Sequence, residues 1–246
     1  MFIYKMKNDS MVIKELKNIP AILGNKPLNK LFENCAKQRV WKKGRQIGVG
    51  SAGKVYIVTL KNSDDTKQYI LKVQPFNSEF KQELSILHHV IGWIHAPKIY
   101  DIWTCKNKAY IVQEKLIKNK MNKQQTYKEL KRKILPGIHR RNVAYPDVHD
   151  ENVMMRKADR KIVLIDYGWA LYFKNKHSST ISMKKDKIYN ILTENIVRPI
   201  KFEDVLVWER LNLEYDYGTS KGYKEAAKRF YEIPDNHFLK NGIEVI

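Results

Sequence analysis

Between positions 145 and 168 the chain reads Tyr145-Pro146-Asp147-Val148-His149-Asp150-Glu151-Asn152, then two apolar runs, then Ile165-Asp166-Tyr167-Gly168. Asp147 precedes Asn152 by five positions, and Asp166 follows Asn152 by 14, with the runs VMM and IVLI between them. Two apolar runs of that length about a polar turn read as a short hairpin, which brings its ends back together. The three side chains can therefore converge. Asp166 and Asn152 offer hard oxygen ligands suited to magnesium, and Asp147 can accept a hydroxyl proton. A D-x-G triplet alone arises easily by chance. The ordered set, each member on a suitable element, constrains the fold far more.

Upstream, Ile47-Gly48-Val49-Gly50-Ser51-Ala52-Gly53-Lys54-Val55 forms a GxGxxGxV loop. A dinucleotide fingerprint at this spacing should run from a strand into a helix. Residues 54–60 are extended and β-branched instead, so this loop joins two strands, an arrangement in which small residues let backbone amides cover phosphates. Next comes Tyr69-Ile70-Leu71-Lys72-Val73, a lone lysine in an apolar strand 24 positions after Gly48. A buried ammonium needs an anion beside it. Glu83 on the following helix is the first candidate and Glu79, one turn earlier, the second; on an edge strand Lys72 would simply point to water.

The elements around these motifs give a fold class. Residues 45–49, 54–60 and 69–73 read as antiparallel strands, the second and third separated by a polar turn at 61–67. Pro75 breaks the chain, and residues 78–91 place Phe80, Leu84, Leu87 and Ile91 on one helical face. Two more strands, 98–104 and 109–113, complete a predicted five-stranded sheet with one helix. The second half is mainly helical, at 124–135, 186–195, 202–213 and 221–231, with a hairpin over 153–165. Residues 1–40, punctuated by Pro20, Gly24 and Pro27, are expected as an extension packing on the core, with a short helix over 28–37. The class is α+β.

Over about residues 41–195 these motifs resemble the protein-kinase superfamily. The resemblance implies a bilobal fold: an N-lobe over about 41–113 and a reduced, mainly helical C-lobe over about 117–246, closing a single ATP cleft. It implies that Gly48, Gly50 and Gly53, flanked by Ile47, Val49 and Val55, cover the ATP phosphates. Lys72 would hold the α- and β-phosphates and Glu83 would orient Lys72. Residues 113–116 would form the hinge, with the backbone at Glu114 and Leu116 meeting adenine. Asp147 would be the catalytic base, with Asn152 and Asp166 as magnesium ligands.

Departures from the family pattern narrow the expectation. Typical members have His-Arg-Asp where this chain has Tyr145-Pro146-Asp147, so the arginine that receives a phosphorylated activation loop is missing, and activity is expected without such phosphorylation. His149 stands where a phosphate-contacting lysine is usual, which is similar to haspin and to the aminoglycoside and choline kinases. No Ala-Pro-Glu follows, since the later prolines are Pro199 and Pro234, and only 78 residues follow Gly168. The interval from Lys72 to Glu83 is a short 11 positions. Such a truncated lobe resembles compact atypical kinases: haspin, the KEOPS-complex kinase and the small kinases of large DNA viruses. The expected activity is Mg-ATP-dependent phosphorylation of serine or threonine on proteins. A small-molecule kinase and a catalytically weak scaffold are the alternatives.

Composition sets the partners and the setting. Hydrophobic residues at 43% and charged residues at 29% exclude a disordered chain and a disulfide scaffold. The 46 Lys+Arg exceed 26 Asp+Glu to give +20, a field that attracts nucleic acid, anionic lipid, nucleotides or acidic proteins. Lysines number 36 against 10 arginines, which suits a lysine-rich composition bias better than arginine-fork recognition. Residues 115–141 carry ten Lys or Arg against one acid, Glu129, but Tyr127 is the lone aromatic, so no base-stacking platform is indicated. The stretch reads first as a solvated helix face, with docking of nucleic acid or an acidic protein as the alternative; a protein substrate, acidic or nucleic-acid-associated, and a monomeric enzyme are expected. The histidines other than His149 have no zinc spacing and read as structural. Cys35 and Cys105, 70 positions apart, read as free thiols of a reducing compartment. With no apolar run of about 20 residues, no apolar leader and neither glycine at position 2 nor a prenylation ending, an intracellular, cytoplasmic protein is expected; for a viral enzyme, host cytoplasm or virion.

Overall fold

The computed structural model describes residues 5–7, 10–12, 15–17, 32–50, 53–63, 66–173 and 202–231. Two compact units emerge: residues 1–117 with 156–163, and residues 118–155 with 164–246.

In the first unit, β1 (Lys5–Lys7) and β2 (Ser10–Val12) form a small antiparallel pair. The main sheet comprises β3 (Trp41–Gly50), β4 (Gly53–Leu60), β5 (Tyr69–Pro75), β6 (Ile99–Cys105) and β7 (Lys108–Glu114), in the order β3-β4-β5-β7-β6 with every neighbour antiparallel. Alternation along β5 decides its role. Tyr69 and Leu71 join Trp41, Val58, Trp103, Cys105 and Val112 in one buried cluster, while Lys72 and Gln74 turn to Glu83 on α1 (Ser78–Val90). Helix α1 starts where Asn77 accepts the backbone N–H of Phe80 at 3.1 Å. Its apolar face, Phe80, Leu84 and Leu87, is at most 2% exposed. The predicted five-stranded sheet and single helix are thus present, with strand ends shifted by a few residues.

Two expectations for the segment before β3 are corrected. Of the helix expected over 28–37, residues 28–31 lie outside the described residues, and a 3-10 turn at Cys35–Arg39 occupies its second half. Cys35 and Cys105 are not free thiols: they form a disulfide, with Cα atoms 4.8 Å apart. The 70-residue separation hid a proximity that the sheet edge creates. Asn34 N–H donates to the Thr104 carbonyl at 2.9 Å, and Glu33 bridges Thr104, so the segment runs alongside the end of β6. There Lys37 forms a buried ion pair with Asp101, whose other oxygen accepts the Trp41 indole N–H at 3.3 Å.

The chain enters the second unit at β8 (Ile117–Lys118), which leads into a helical run. The single helix expected over 124–135 is a composite: α2 (Lys123–Glu129), a π-helical turn (Leu130–Ile134) and α3 (Leu135–His139). Pro136 and Gly137 lie inside α3; an extra-wide turn just ahead accommodates the proline, which cannot donate to the preceding turn. Then follow β9 (Val143–Ala144), β10 (Val153–Met155), β11 (Ile162–Leu164), whose first two residues belong to the first unit, and β12 (Leu171–Tyr172), with β12 antiparallel to β9. Helices α4 (Phe202–Tyr217) and α5 (Ser220–Tyr231) close the unit. Phe202, Val205, Leu211 and Ala226 pack with Ala144, Leu171 and Phe173. The helix expected over 186–195 lies outside the described residues. Among the described residues no helix is long and apolar enough to cross a membrane.

Candidate active site

In the first unit the site is built on three adjacent strands and α1. Gly48, Val49 and Gly50 of β3 pair with Val55, Lys54 and Gly53 of β4, so the glycine loop joins two strands; Ser51 and Ala52 lie outside the described residues. Ile47 and Val49 are exposed, at 46% and 70%. Gly53 has a steric reason of its own, because a Cβ there would sit 2.2 Å from the Val73 carbonyl oxygen of β5. Gly48 has none, since a Cβ would meet Val55 no closer than 3.7 Å.

Lys72 Nζ lies 2.9 Å from Oε1 and 3.0 Å from Oε2 of Glu83. Both side chains are nearly buried, at 12% and 7% exposure. Gln74, two positions along the same strand face, donates its amide to Glu83 Oε2 at 2.7 Å. The carboxylate thus receives three hydrogen bonds, which offsets its desolvation and fixes its rotamer. Gln74 escaped the sequence reading, although K-x-Q alternation on a strand puts both residues on one face.

At the end of β7, Glu114 is buried. Its N–H donates to the Lys98 carbonyl at 2.9 Å and its carboxylate accepts the Lys98 N–H at 3.0 Å. The same carboxylate is gripped by Arg156, with Nε 2.8 Å from Oε2 and Nη2 2.8 Å from Oε1. Of the Glu114 backbone, the carbonyl is therefore the part suited to a ligand. Leu116 falls between β7 and β8 in irregular backbone. Arg156 also escaped the sequence reading, as an arginine in a hairpin usually reads as solvated.

In the second unit, Asp147 and Asn152 lie on the loop between β9 and β10. Asn152 Nδ2 donates to Asp147 Oδ2 at 2.8 Å, and His149 Nε2 stands 3.5 Å from Asp147 Oδ1. Both oxygens of Asp147 are thus oriented. The Asp147 contact, aided by Asp216 and Glu151 and opposed by burial, raises the His149 pKa above the usual histidine value. Asn152 spends its nitrogen on Asp147, which leaves its Oδ1 as the oxygen suited to a hard cation. Its carbonyl accepts the Ile165 N–H at 3.0 Å, and the Tyr145 hydroxyl donates to the Ile165 carbonyl. Ile165 is clamped from both sides, directly before Asp166. Asp166 itself takes a left-handed conformation, φ 55°, which few non-glycine residues adopt and which sites tend to impose. Burial holds the Tyr145 hydroxyl far above the usual tyrosine pKa, so it stays a donor.

Helix α4 carries this loop through one stripe of polar residues. Glu209 Oε2 accepts the Tyr145 N–H at 2.8 Å, Asn212 Nδ2 donates to the Pro146 carbonyl at 2.8 Å, and Asp216 Oδ2 accepts the Asp150 N–H at 3.0 Å. Positions 209, 212 and 216 recur at helical spacing and share one face. Glu209, 3% exposed, also meets His139 Nε2 at 2.8 Å. None of the three was singled out from sequence. The signal available was a polar stripe where an amphipathic helix should bury apolar side chains.

The family described as Protein kinase domain matches residues 41–190, well over half of the sequence. The chain belongs to the protein kinase family. No curated protein matches this kinase in sequence. Among solved structures, the Cydia pomonella granulovirus kinase PK-1 is similar in fold, with a TM-score of 0.54 at 13% identity, covering 74% of this chain and 72% of that one. This protein is accordingly a kinase of compact, α+β bilobal type, an enzyme of phosphoryl transfer.

Proposed function

We propose that this kinase transfers the γ-phosphoryl group of ATP, with magnesium, to serine or threonine hydroxyls of protein substrates. The observation that carries the reading is the Asp147–Asn152 pair at 2.8 Å, on a loop hydrogen-bonded to the residue before Asp166. In this reading the Asp147 carboxylate takes the substrate hydroxyl proton as the new O–P bond forms. His149, two positions on, supplies positive charge toward the transferring group. Lys72, held by Glu83 and Gln74, binds the α- and β-phosphates, and the backbone around Gly48, Gly50 and Gly53 covers them. The Glu114 carbonyl and the Leu116 backbone meet the adenine. Asn152 Oδ1 and the Asp166 carboxylate form an oxygen set that fits magnesium, which when bound neutralises phosphate charge. Nothing in this scheme needs a covalent enzyme intermediate; positioning and charge neutralisation supply the rate.

The test is transfer of labelled γ-phosphate from ATP with magnesium to three acceptors: a basic protein, an acidic protein and an aminoglycoside-type alcohol, with Asp166→Ala as control. Phosphoserine or phosphothreonine on protein, lost in the control, is expected. Label confined to the small alcohol overturns the protein-substrate reading in favour of a small-molecule kinase. Full transfer by Asp166→Ala overturns the metal assignment, and no transfer to any acceptor leaves the chain a scaffold.

A further inference from the structure

We propose that Arg156 is a positioning residue for the nucleotide base: its guanidinium, buried against Glu114, sets where the end of β7 presents its backbone to adenine. The inference rests on the adenine role proposed above for the Glu114 carbonyl.

Arg156 is 7% exposed and uses all five of its N–H groups. Nε reaches Glu114 Oε2 at 2.8 Å and Oε1 at 3.1 Å. One Nη2 hydrogen goes to Glu114 Oε1 at 2.8 Å, and the other meets the Ala96 carbonyl at 3.1 Å. Nη1 serves the Ile94 carbonyl at 2.9 Å and Asp159 Oδ2 at 3.4 Å. One planar group therefore ties the loop after α1, the end of β7 and the start of its own turn into a fixed frame. The same turn is closed by the Arg156 N–H to the Lys161 carbonyl and the Arg160 N–H to the Arg156 carbonyl, each 2.9 Å. Beyond Glu114 the main sheet ladder ends, so strand pairing no longer dictates where the backbone goes.

Stability alone is a poor reason for such a pair. Two ions buried together pay desolvation that an apolar pair of similar volume avoids, and such replacements are often neutral or stabilising. What an apolar pair cannot reproduce is the bidentate, planar geometry that fixes Glu114 in one place.

The experiment uses the full chain and compares Arg156→Lys, which keeps the charge but loses the fork, with the double variant Arg156→Met/Glu114→Met, which removes both ions. Readouts are the thermal midpoint, its shift by Mg-ATP, KM and kcat for ATP, and the ratio of kcat/KM for ATP over GTP, whose purine carries a carbonyl where adenine carries an amine. In Arg156→Lys the KM for ATP is expected to rise about tenfold with kcat within about threefold. The ATP-over-GTP ratio should fall by a similar factor, the size of one good hydrogen bond. The double variant should regain the wild-type midpoint yet keep the KM and selectivity defects. Recovery of KM and selectivity together with the midpoint would reduce Arg156 to a structural residue, as would a kcat loss at unchanged KM. If the wild-type midpoint does not respond to Mg-ATP, the nucleotide reading itself fails and takes the inference with it. A wild-type response with unaltered variants overturns Arg156 alone.

Discussion

Single side chains here do their work through what holds them. Lys72 was legible because a lysine in an apolar strand must find an anion, and α1 offers Glu83; Gln74 was not, because a glutamine makes no comparable demand. Its contribution can be measured. Gln74→Leu removes one of three donors to the buried Glu83 carboxylate, and hydrogen bonds to charged groups are worth about 1.5–3 kcal/mol. Urea unfolding should show a loss of that size, with weaker ATP binding; an unchanged midpoint would show that the two Lys72 bonds suffice. His149 gives a pH signature. Its contact with Asp147 raises its pKa, so the imidazolium persists above the usual histidine range and is lost only as pH rises further. If the charged form assists transfer, turnover should fall along an alkaline limb centred above the ordinary histidine value. His149→Lys should push that limb to higher pH, and His149→Gln should erase it. The same limb surviving in His149→Gln would assign it to another group.

At the scale of elements, strands and α1 were readable from alternation and helical spacing, and their ends moved only slightly. The polar stripe of α4 was not, since Glu209, Asn212 and Asp216 look like ordinary surface positions until the loop that they grip is known. Asn212→Ala removes the bond to the Pro146 carbonyl without leaving a buried charge behind. The loop carrying Asp147, the proposed base, should loosen, and misplacement near 1 Å can cost on the order of 10²-fold, so kcat should fall about 10- to 100-fold while KM for ATP stays put. A rise in KM instead would place the loop's support elsewhere. The segment from Phe32 to Trp41 is the other element that escaped the reading. It is bound to β6 by the Cys35–Cys105 disulfide, the buried Lys37–Asp101 pair and the Asn34–Thr104 bond. A cross-link closing a loop of 70 positions restricts the unfolded chain enough to contribute about 2–4 kcal/mol. Unfolding with and without reductant should differ by that amount in the wild type and not at all in Cys35→Ser; equal midpoints would show that the non-covalent contacts already hold the segment.

For the whole molecule, the ordering of motifs was more telling about the family than the +20 charge. A glycine loop, a strand lysine, an Asp–Asn pair and D-x-G in this order leave few folds open, whereas a basic composition is compatible with many. In a chain with an arginine before the catalytic aspartate, that cation waits for a phosphorylated segment; here Pro146 takes the position and offers a carbonyl to Asn212 instead. Tyr145 is tied at its N–H to Glu209 and at its hydroxyl to Ile165, and Asp147 is oriented by Asn152 and His149. Every one of these contacts comes from the unmodified chain, so among the described residues the loop is held in place without a phosphate. Ser178, Ser179, Thr180 and Ser182 lie outside the described residues, whereas the loop of residues 145–152 lies within them. Turnover of a phosphatase-treated sample, and of the variant with all four replaced by alanine, should stay within about threefold of the untreated wild type, since an ordering step that is already complete adds less than about 1 kcal/mol. A loss beyond 100-fold in the alanine variant, restored by acidic replacements at the same positions, would reveal a phosphate receiver outside the loop of residues 145–152.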